Sequence, residues 1–133
     1  MIDWLRGIGR QILRAFGLGP KPMPFEWGTS VLPVVDRAAI DALWHEQFRI
    51  VTGRGTAAAY ADPSGLRYGV YQGDRFPDGS THWGKYWAHS RVIVVLNRHA
   101  DNTALWAHEV RHDVLGTEEH PALYFNGSSL TLP

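Results

Sequence analysis

The sequence predicts a small α+β domain, in which a short mixed or antiparallel sheet packs with a helix near the C-terminal end and one or two further helices. Its 133 residues suit a single domain that can bury a core of its own. Strand-like segments separated by turn signals occupy residues 66–97. A helical pattern with a capping residue stands on each side of them, and these observations together indicate the fold class.

The predicted strands are short and lie between turn signals. A first strand is expected over residues 31–35, and a second over residues 66–72. Residues 81–89 and 91–97 are expected to form a hairpin, and Val92–Leu96 is the most β-like segment of the chain.

Two helices are predicted from periodicity and caps. The first is expected over about residues 37–50, with Asp36 as its N-cap. Its apolar stripe comprises Ile40, Leu43, Trp44, Phe48 and Val51. The second helix begins after Asp101 or Asn102 and is expected to end at Gly116.

The first 24 residues are predicted to form an arm ahead of a domain of residues 25–133. An amphipathic helix is expected over residues 3–16, where apolar side chains recur at helical spacing: Trp4, Leu5, Ile8, Ile12, Leu13 and Phe16. Arginines flank this stripe, and a Pro-rich stretch, Lys21–Pro24, follows. Two interpretations stay open: the helix packs on the domain, or it binds a membrane surface or a protein partner.

The sequence shows no segment that is typical of membrane insertion or export. No apolar run approaches the ~18 residues of a transmembrane helix. The N-terminus begins Met1-Ile2-Asp3-Trp4 and lacks an uninterrupted apolar region, so it does not resemble a signal peptide. A cytoplasmic or virion-associated location is therefore the default expectation.

Composition limits the chemistry that the chain can support. Thirteen Lys and Arg residues balance thirteen Asp and Glu residues, so the net charge of zero gives no broad footprint for nucleic acid. The absence of cysteine excludes disulfides, thiolate zinc fingers, iron–sulfur clusters and a Cys nucleophile. A transition-metal site must therefore use His, Asp and Glu, and seven histidines make such a site feasible.

The main candidate functional residues lie in the segment His108-Glu109-Val110-Arg111-His112. On a helix, side chains four residues apart project from one face, so His108 and His112 can share one tetrahedral zinc ion. Glu109 lies about 100° around the helix from His108 and can stand beside the metal. There it can take a proton from a water on the zinc, because zinc lowers the pKa of that water towards about 7.

This pentapeptide matches the H-E-x-x-H signature of the zincin metallopeptidases. The stretch from His108 to Pro121 resembles small bacterial and phage zincin-like proteins, in which the signature is followed by an apolar run, a Gly and a His-Pro pair. The resemblance implies a zincin-like domain in which an edge strand borders the cleft and binds extended substrate, and residues 91–97 fit that strand. It also implies that both histidines of the signature bind zinc and that its glutamate is the general base.

Three residues beyond the helix are candidates for the third zinc ligand: Glu118, Glu119 and His120. Gly116 lets the chain reverse, and four further residues at up to about 3.3 Å each can span one or two helical turns. Pro121 favours His120, because a proline restricts the preceding residue to an extended conformation. The predicted third ligand is therefore His120.

These residues favour a zinc-dependent hydrolase, most simply a peptidase that cleaves a peptide or protein substrate with Glu109 as general base. A different class stays open, namely a catalytically silent zinc-binding structural or interaction protein such as a phage virion component. Arg111 is expected to face solvent or to lean towards the substrate, and Tyr86 and Tyr124 are candidate oxyanion donors. Three other histidines are candidates for a supporting role: His82, His89 and His99.

Overall fold

The structure is a computed structural model that describes residues 30–33 and 36–125. Its elements in chain order are β1 (Val31–Pro33), α1 (Arg37–Gly53), β2 (Arg67–Tyr71), β3 (Gly84–Trp87), β4 (Val92–Leu96) and α2 (Thr103–Leu115), with a 3₁₀ turn at Asn97–His99. Within the described residues, four strands and two α-helices confirm the α+β class. The predicted N-terminal helix, the Pro-rich arm and the boundary between residues 24 and 25 lie outside these residues.

The four strands form one mixed sheet in the order β1-β2-β4-β3. β2 and β4 are parallel, and the other two pairs are antiparallel. The predicted hairpin is confirmed by the β3–β4 pair, in which Trp87 lies opposite Val92. The assignment of residues 91–97 to an edge strand is wrong, because β4 lies between β2 and β3. All five residues of β4 are buried, as expected for an apolar strand that is covered on both faces.

Alternate residues of the sheet face two different clusters of apolar side chains. Ile93 and Val95 pack with residues of α1 and α2 on one face. Val92 and Val94 pack on the other face with Phe76, which belongs to the loop between β2 and β3. The helices therefore cover one face of the sheet and this loop covers the other.

The ends of both helices are set by side chains and by one glycine. Asp36 accepts a hydrogen bond of 3.0 Å from the N–H three residues later and caps α1, which continues to Gly53, beyond its predicted end. Asn102, and not Asp101, caps α2 through a bond of 3.1 Å. Gly116 ends α2 as predicted, with a left-handed φ of 71°. In the described part of the chain, no helix has the length and apolar character needed to cross a membrane.

Candidate metal centre

His108 and His112 lie on one face of α2, and their rings meet there. Their Nε2 atoms are 3.3 Å apart and their ring centroids 4.9 Å apart. Both residues are buried, with 6% and 3% of their surface exposed. The rings come together because a spacing of four residues is close to one helical turn of about 3.6 residues.

His120 reaches the same point from beyond the end of the helix. Gly116 lets the chain turn back, and His120 Nε2 lies 3.3 Å from His108 Nε2. One ring nitrogen from each of the three histidines lies within 4.8 Å of the other two. His108, His112 and His120 thus form a group that could hold a metal ion, and this group is hereafter called the histidine cluster.

Neither of the two glutamates that precede His120 belongs to this group. Glu118 Oε2 accepts a hydrogen bond of 3.1 Å from the backbone N–H of Ala88, just after β3. Glu119 is exposed, and its backbone N–H donates to Thr117 Oγ1 at 3.1 Å. Of the three candidates for the third ligand, the structure therefore brings His120 to the two helical histidines.

Aromatic side chains hold the histidine cluster in place. The ring centroid of Phe125 lies 4.9 Å from that of His108, 4.6 Å from that of His112 and 4.9 Å from that of His120. Tyr86 also stacks on His112, with ring planes inclined by 10° and centroids 6.0 Å apart. Since packed rings lose much of their rotamer freedom, the three nitrogens are kept close together.

The backbone carbonyl of Thr117 fixes the tautomer of His112. Its oxygen lies 2.9 Å from His112 Nδ1, and because a carbonyl only accepts hydrogen bonds, Nδ1 carries the hydrogen. Burial, and then the charge of His108, lower the pKa of His112 to about 3, so this ring is neutral at physiological pH. Its Nε2 lone pair faces the other two histidines. This donor set fits a transition-metal cation, for which neutral imidazole is a common ligand.

Glu109 lies beside the histidine cluster without belonging to it. Its Oε1 is 3.9 Å from His108 Nε2, and the residue is 4% exposed. Its Oε2 is buried and has no hydrogen-bond partner among the residues that the structure describes. Burial raises the pKa of Glu109 to about 8, against an opposing effect of the Lys85 charge. A carboxyl group is therefore held out of water next to the candidate metal centre.

The edge strand β3 approaches Glu109 through a glycine. A Cβ atom at Gly84 would lie 3.2 Å from Glu109 Cγ and 3.3 Å from Leu105 Cδ1, which is closer than the optimal carbon–carbon separation of about 3.5–4.0 Å. The missing side chain lets β3 pass alongside α2 at the level of the carboxylate. Sequence reasoning missed this position, although a glycine in a strand is a known signal of close backbone approach.

Asp113, which the sequence did not single out, joins α2 to the rest of the domain. Its side chain is fully buried. Oδ2 accepts hydrogen bonds from Trp44 Nε1 at 2.9 Å and from Arg91 Nη2 at 2.7 Å. Oδ1 accepts from the Tyr86 hydroxyl at 2.7 Å and from Arg91 Nε at 3.0 Å. The residue that follows His112 thus connects α1, β3 and the turn between β3 and β4.

The two tyrosines considered as oxyanion donors are engaged within the core. The Tyr86 hydroxyl donates to Asp113, and burial together with that negative charge raises the pKa of Tyr86. The Tyr124 hydroxyl bonds to the carbonyl of Val51 at 3.2 Å and to Thr56 Oγ1. Neither hydroxyl is therefore placed to stabilise an oxyanion at the histidine cluster.

Arg111 is 1% exposed, so the expectation that it faces solvent or substrate is wrong. Its Nε donates to Gln47 Oε1 at 2.9 Å, and its Nη1 donates to the carbonyl of Tyr124 at 2.8 Å. The guanidinium also lies 5.0 Å from the centroid of the Phe125 ring. Burial, and then a nearby arginine, lower the pKa of Arg111 to about 10. Arg111 therefore anchors the segment that follows the third histidine to both helices.

The remaining candidate histidines are not part of the histidine cluster. His82 and His89 are exposed. His99 stacks on Trp83 with ring centroids 4.0 Å apart. The structure therefore gives none of the three a direct role at the candidate metal centre.

No model of a known protein family, no curated protein and no solved structure matches this chain. Its function therefore has to be argued from the site itself.

Proposed function

We propose that this protein is a zinc-dependent hydrolase, most simply a peptidase, with Glu109 as its general base. One observation carries the proposal: three histidine nitrogens converge, and a buried carboxylate oxygen lies 3.9 Å from one of them. Metal-assisted hydrolysis requires such a combination of metal ligands with a base that does not bind the metal. The match of residues 108–112 to the H-E-x-x-H signature supports the same function.

His108, His112 and His120 would hold the zinc ion. Three neutral imidazoles leave the double charge of zinc uncompensated and leave one position of a tetrahedral site without a protein ligand. When bound, zinc polarises a substrate carbonyl and makes a coordinated water more acidic. The ring of Phe125 and the carbonyl of Thr117 orient the ligand rings, and such outer contacts support metal affinity.

Glu109 would accept the proton of the attacking water. Its Oε1 lies near the ring of His108, and its Oε2 has no partner among the described residues. The positive charge of a bound zinc ion would favour the ionised form of this buried group, whose oxygen could then accept the proton. Because the side chain is buried, bulk water does not compete for that proton. The same group can then pass the proton to the departing amine of a cleaved peptide.

The position of β3 favours an extended peptide as substrate. In the described part of the sheet, β3 pairs with β4 along one side and forms the edge on the other. A peptide that adds to such an edge forms main-chain hydrogen bonds, which do not depend on its side chains. Gly84 lies against Glu109, so a peptide bound along β3 would pass close to the proposed base.

A catalytically silent zinc protein, for instance a virion component, is the alternative function. Structural zinc sites are closed by four protein ligands, whereas catalytic sites keep a position open. The group found among the described residues has three histidines, and Glu109 stands apart from it. These features favour the enzyme.

Metal content tests the ligand assignment. One zinc per chain is expected by elemental analysis, and His108→Ala, His112→Ala and His120→Ala should each abolish tight binding, because two remaining ligands seldom hold zinc. Glu118→Ala and Glu119→Ala are matched controls that should keep full zinc. If His120→Ala keeps full zinc and either glutamate variant loses it, the third ligand is a carboxylate and not His120.

A glutamine substitution separates binding from chemistry. Glu109→Gln keeps the shape of the side chain but cannot accept a proton, so it should retain zinc and lose hydrolysis by about 10²–10⁴-fold. The assay is cleavage of a broad peptide library by zinc-loaded protein, with exposed Glu46→Gln as the control. Near-parental activity of Glu109→Gln would refute its role as base. Failure of the parent to cleave any peptide would favour the structural alternative.

A further inference from the structure

An apolar groove of about 650 Å³ lies beside β1, away from the residues of the histidine cluster. The large apolar side chains of its lining are Leu32, Ile40, Leu43, Val70 and Trp106. These residues belong to the edge strand β1, to its neighbour β2 and to the N-terminal halves of α1 and α2. The groove is therefore on the face of the sheet that the two helices cover, at the end where they leave it open.

The groove exposes apolar surface that a folded domain would be expected to cover. Leu32 is 51% exposed, and it is one of three exposed large apolar side chains among the described residues. A concave apolar surface between helix ends is suited to the apolar face of a further helix. Such a helix would complete the helical layer over β1 and β2.

The charge of the groove selects for a basic occupant. The charged side chains in its lining are Asp36 and Asp101, both acidic and both exposed. Asp36 caps α1, and Asp101 immediately precedes the cap of α2. An apolar segment flanked by arginines would match both the apolar lining and the acidic rim.

We propose that the N-terminal amphipathic segment of this same chain, residues 3–16, docks in the groove as a helix. Its sequence carries the apolar stripe described above, and its flanking charges are basic: Arg6, Arg10 and Arg14. A helix of this length would be about 21 Å long, enough to lie along a groove bordered by two helix ends.

The connection to the domain permits this docking within one chain. Residues 17–29 separate the segment from Ser30, which directly precedes β1 at the side of the groove. Thirteen residues can extend to about 40 Å, which is longer than the proposed helix. A tethered segment has a high effective concentration at the groove, which favours it over a second molecule. This proposal does not depend on zinc binding or on hydrolysis.

Cysteine pairs test the docking directly, because the chain has no cysteine of its own. Ile12→Cys lies in the apolar stripe, and Ala39→Cys lies in the groove. Under mild oxidation, this double variant should form a disulfide within the monomer at least about tenfold faster than a matched control, Ile12→Cys with Arg49→Cys. Arg49 is exposed on the same helix but does not line the groove.

Hydrogen exchange provides a second measurement that needs no particular cross-link geometry. In the full-length protein, Ile12→Asp should accelerate exchange of amides in residues 36–43 and 97–106 by about tenfold or more, whereas Arg14→Lys should leave it unchanged. Equal cross-linking of both cysteine pairs together with unchanged exchange would overturn the proposal. Disulfides formed only between molecules would also overturn it, in favour of a second copy. If exchange in these residues slows only when anionic vesicles are added, the proposal is also overturned, because the segment then binds a membrane surface.

Discussion

Replacing one carboxylate oxygen of Asp113 with an amide nitrogen is expected to cause a large loss of folding stability, because both oxygens accept buried hydrogen bonds. Asp113→Asn preserves the volume of the side chain, but the amide nitrogen cannot accept hydrogen bonds. If the nitrogen takes the place of Oδ2, the bonds from Trp44 and from Arg91 Nη2 are lost; at Oδ1, those from Tyr86 and from Arg91 Nε are lost. Either orientation therefore removes two of the four bonds and leaves the guanidinium of Arg91 without its carboxylate.

The expected loss in free energy of unfolding follows from these contacts. Removing one partner of a buried ion pair costs about 3–5 kcal/mol, and this figure includes the unsatisfied donors. The side chain of Arg91 is 14% exposed, so solvent offsets part of the cost. A loss of about 3 kcal/mol is expected, which is a large share of the roughly 5–15 kcal/mol that stabilise a typical domain.

Urea unfolding followed by tryptophan fluorescence measures this loss, since Trp44 and Trp106 are buried. The midpoint should fall without a change in the slope m, as expected when stability alone is altered. Asp74→Asn, at an exposed position, is the matched control and should stay within about 0.5 kcal/mol of the parent. A loss of less than about 1 kcal/mol for Asp113→Asn would refute the reasoning.

Three further predictions concern the histidine cluster and its surroundings. Gly84→Val should leave the zinc content unchanged but strongly reduce peptide cleavage, because its Cβ would lie 3.2 Å from Glu109 Cγ and displace the proposed base; unchanged cleavage would argue against Glu109 acting as the base from this position. In metal-free protein, burial raises the pKa of Glu109 from 4.5 to about 8. Between these two pH values the folded state binds a proton that the unfolded state does not, so the free energy of unfolding decreases as the pH rises through this range. The stability of Glu109→Gln relative to the parent should therefore increase from pH 5 to pH 8 in urea titrations with chelator, and a difference independent of pH would contradict the shift. Removing zinc with a chelator should lower the melting temperature, because free zinc at 100 times its Kd stabilises the folded state by about 2.7 kcal/mol; an unchanged melting temperature would mean that the folded site binds no zinc.

Local sequence rules were sufficient for the elements that lie near one another along the chain. The sequence identifies Asp36 and Gly116 as helix ends because capping depends on the few residues around each terminus. The shared direction of His108 and His112 follows from helical geometry alone. The proline after His120 favours it over the neighbouring glutamates, and the structure brings it to the other two rings.

Only the tertiary structure decided what depends on partners far apart in the sequence. The position of β4 inside the sheet arises from its parallel pairing with β2, which no local pattern encodes. Arg111 was expected outside the core, yet it is buried because Gln47, 64 residues earlier, accepts its hydrogen bond. Asp113 likewise acquires its role from Trp44, 69 residues away. A buried charge is stable only where such partners meet it, so the fold decides which charged residues are buried. The spacing of the candidate metal ligands, in contrast, is already determined by the sequence.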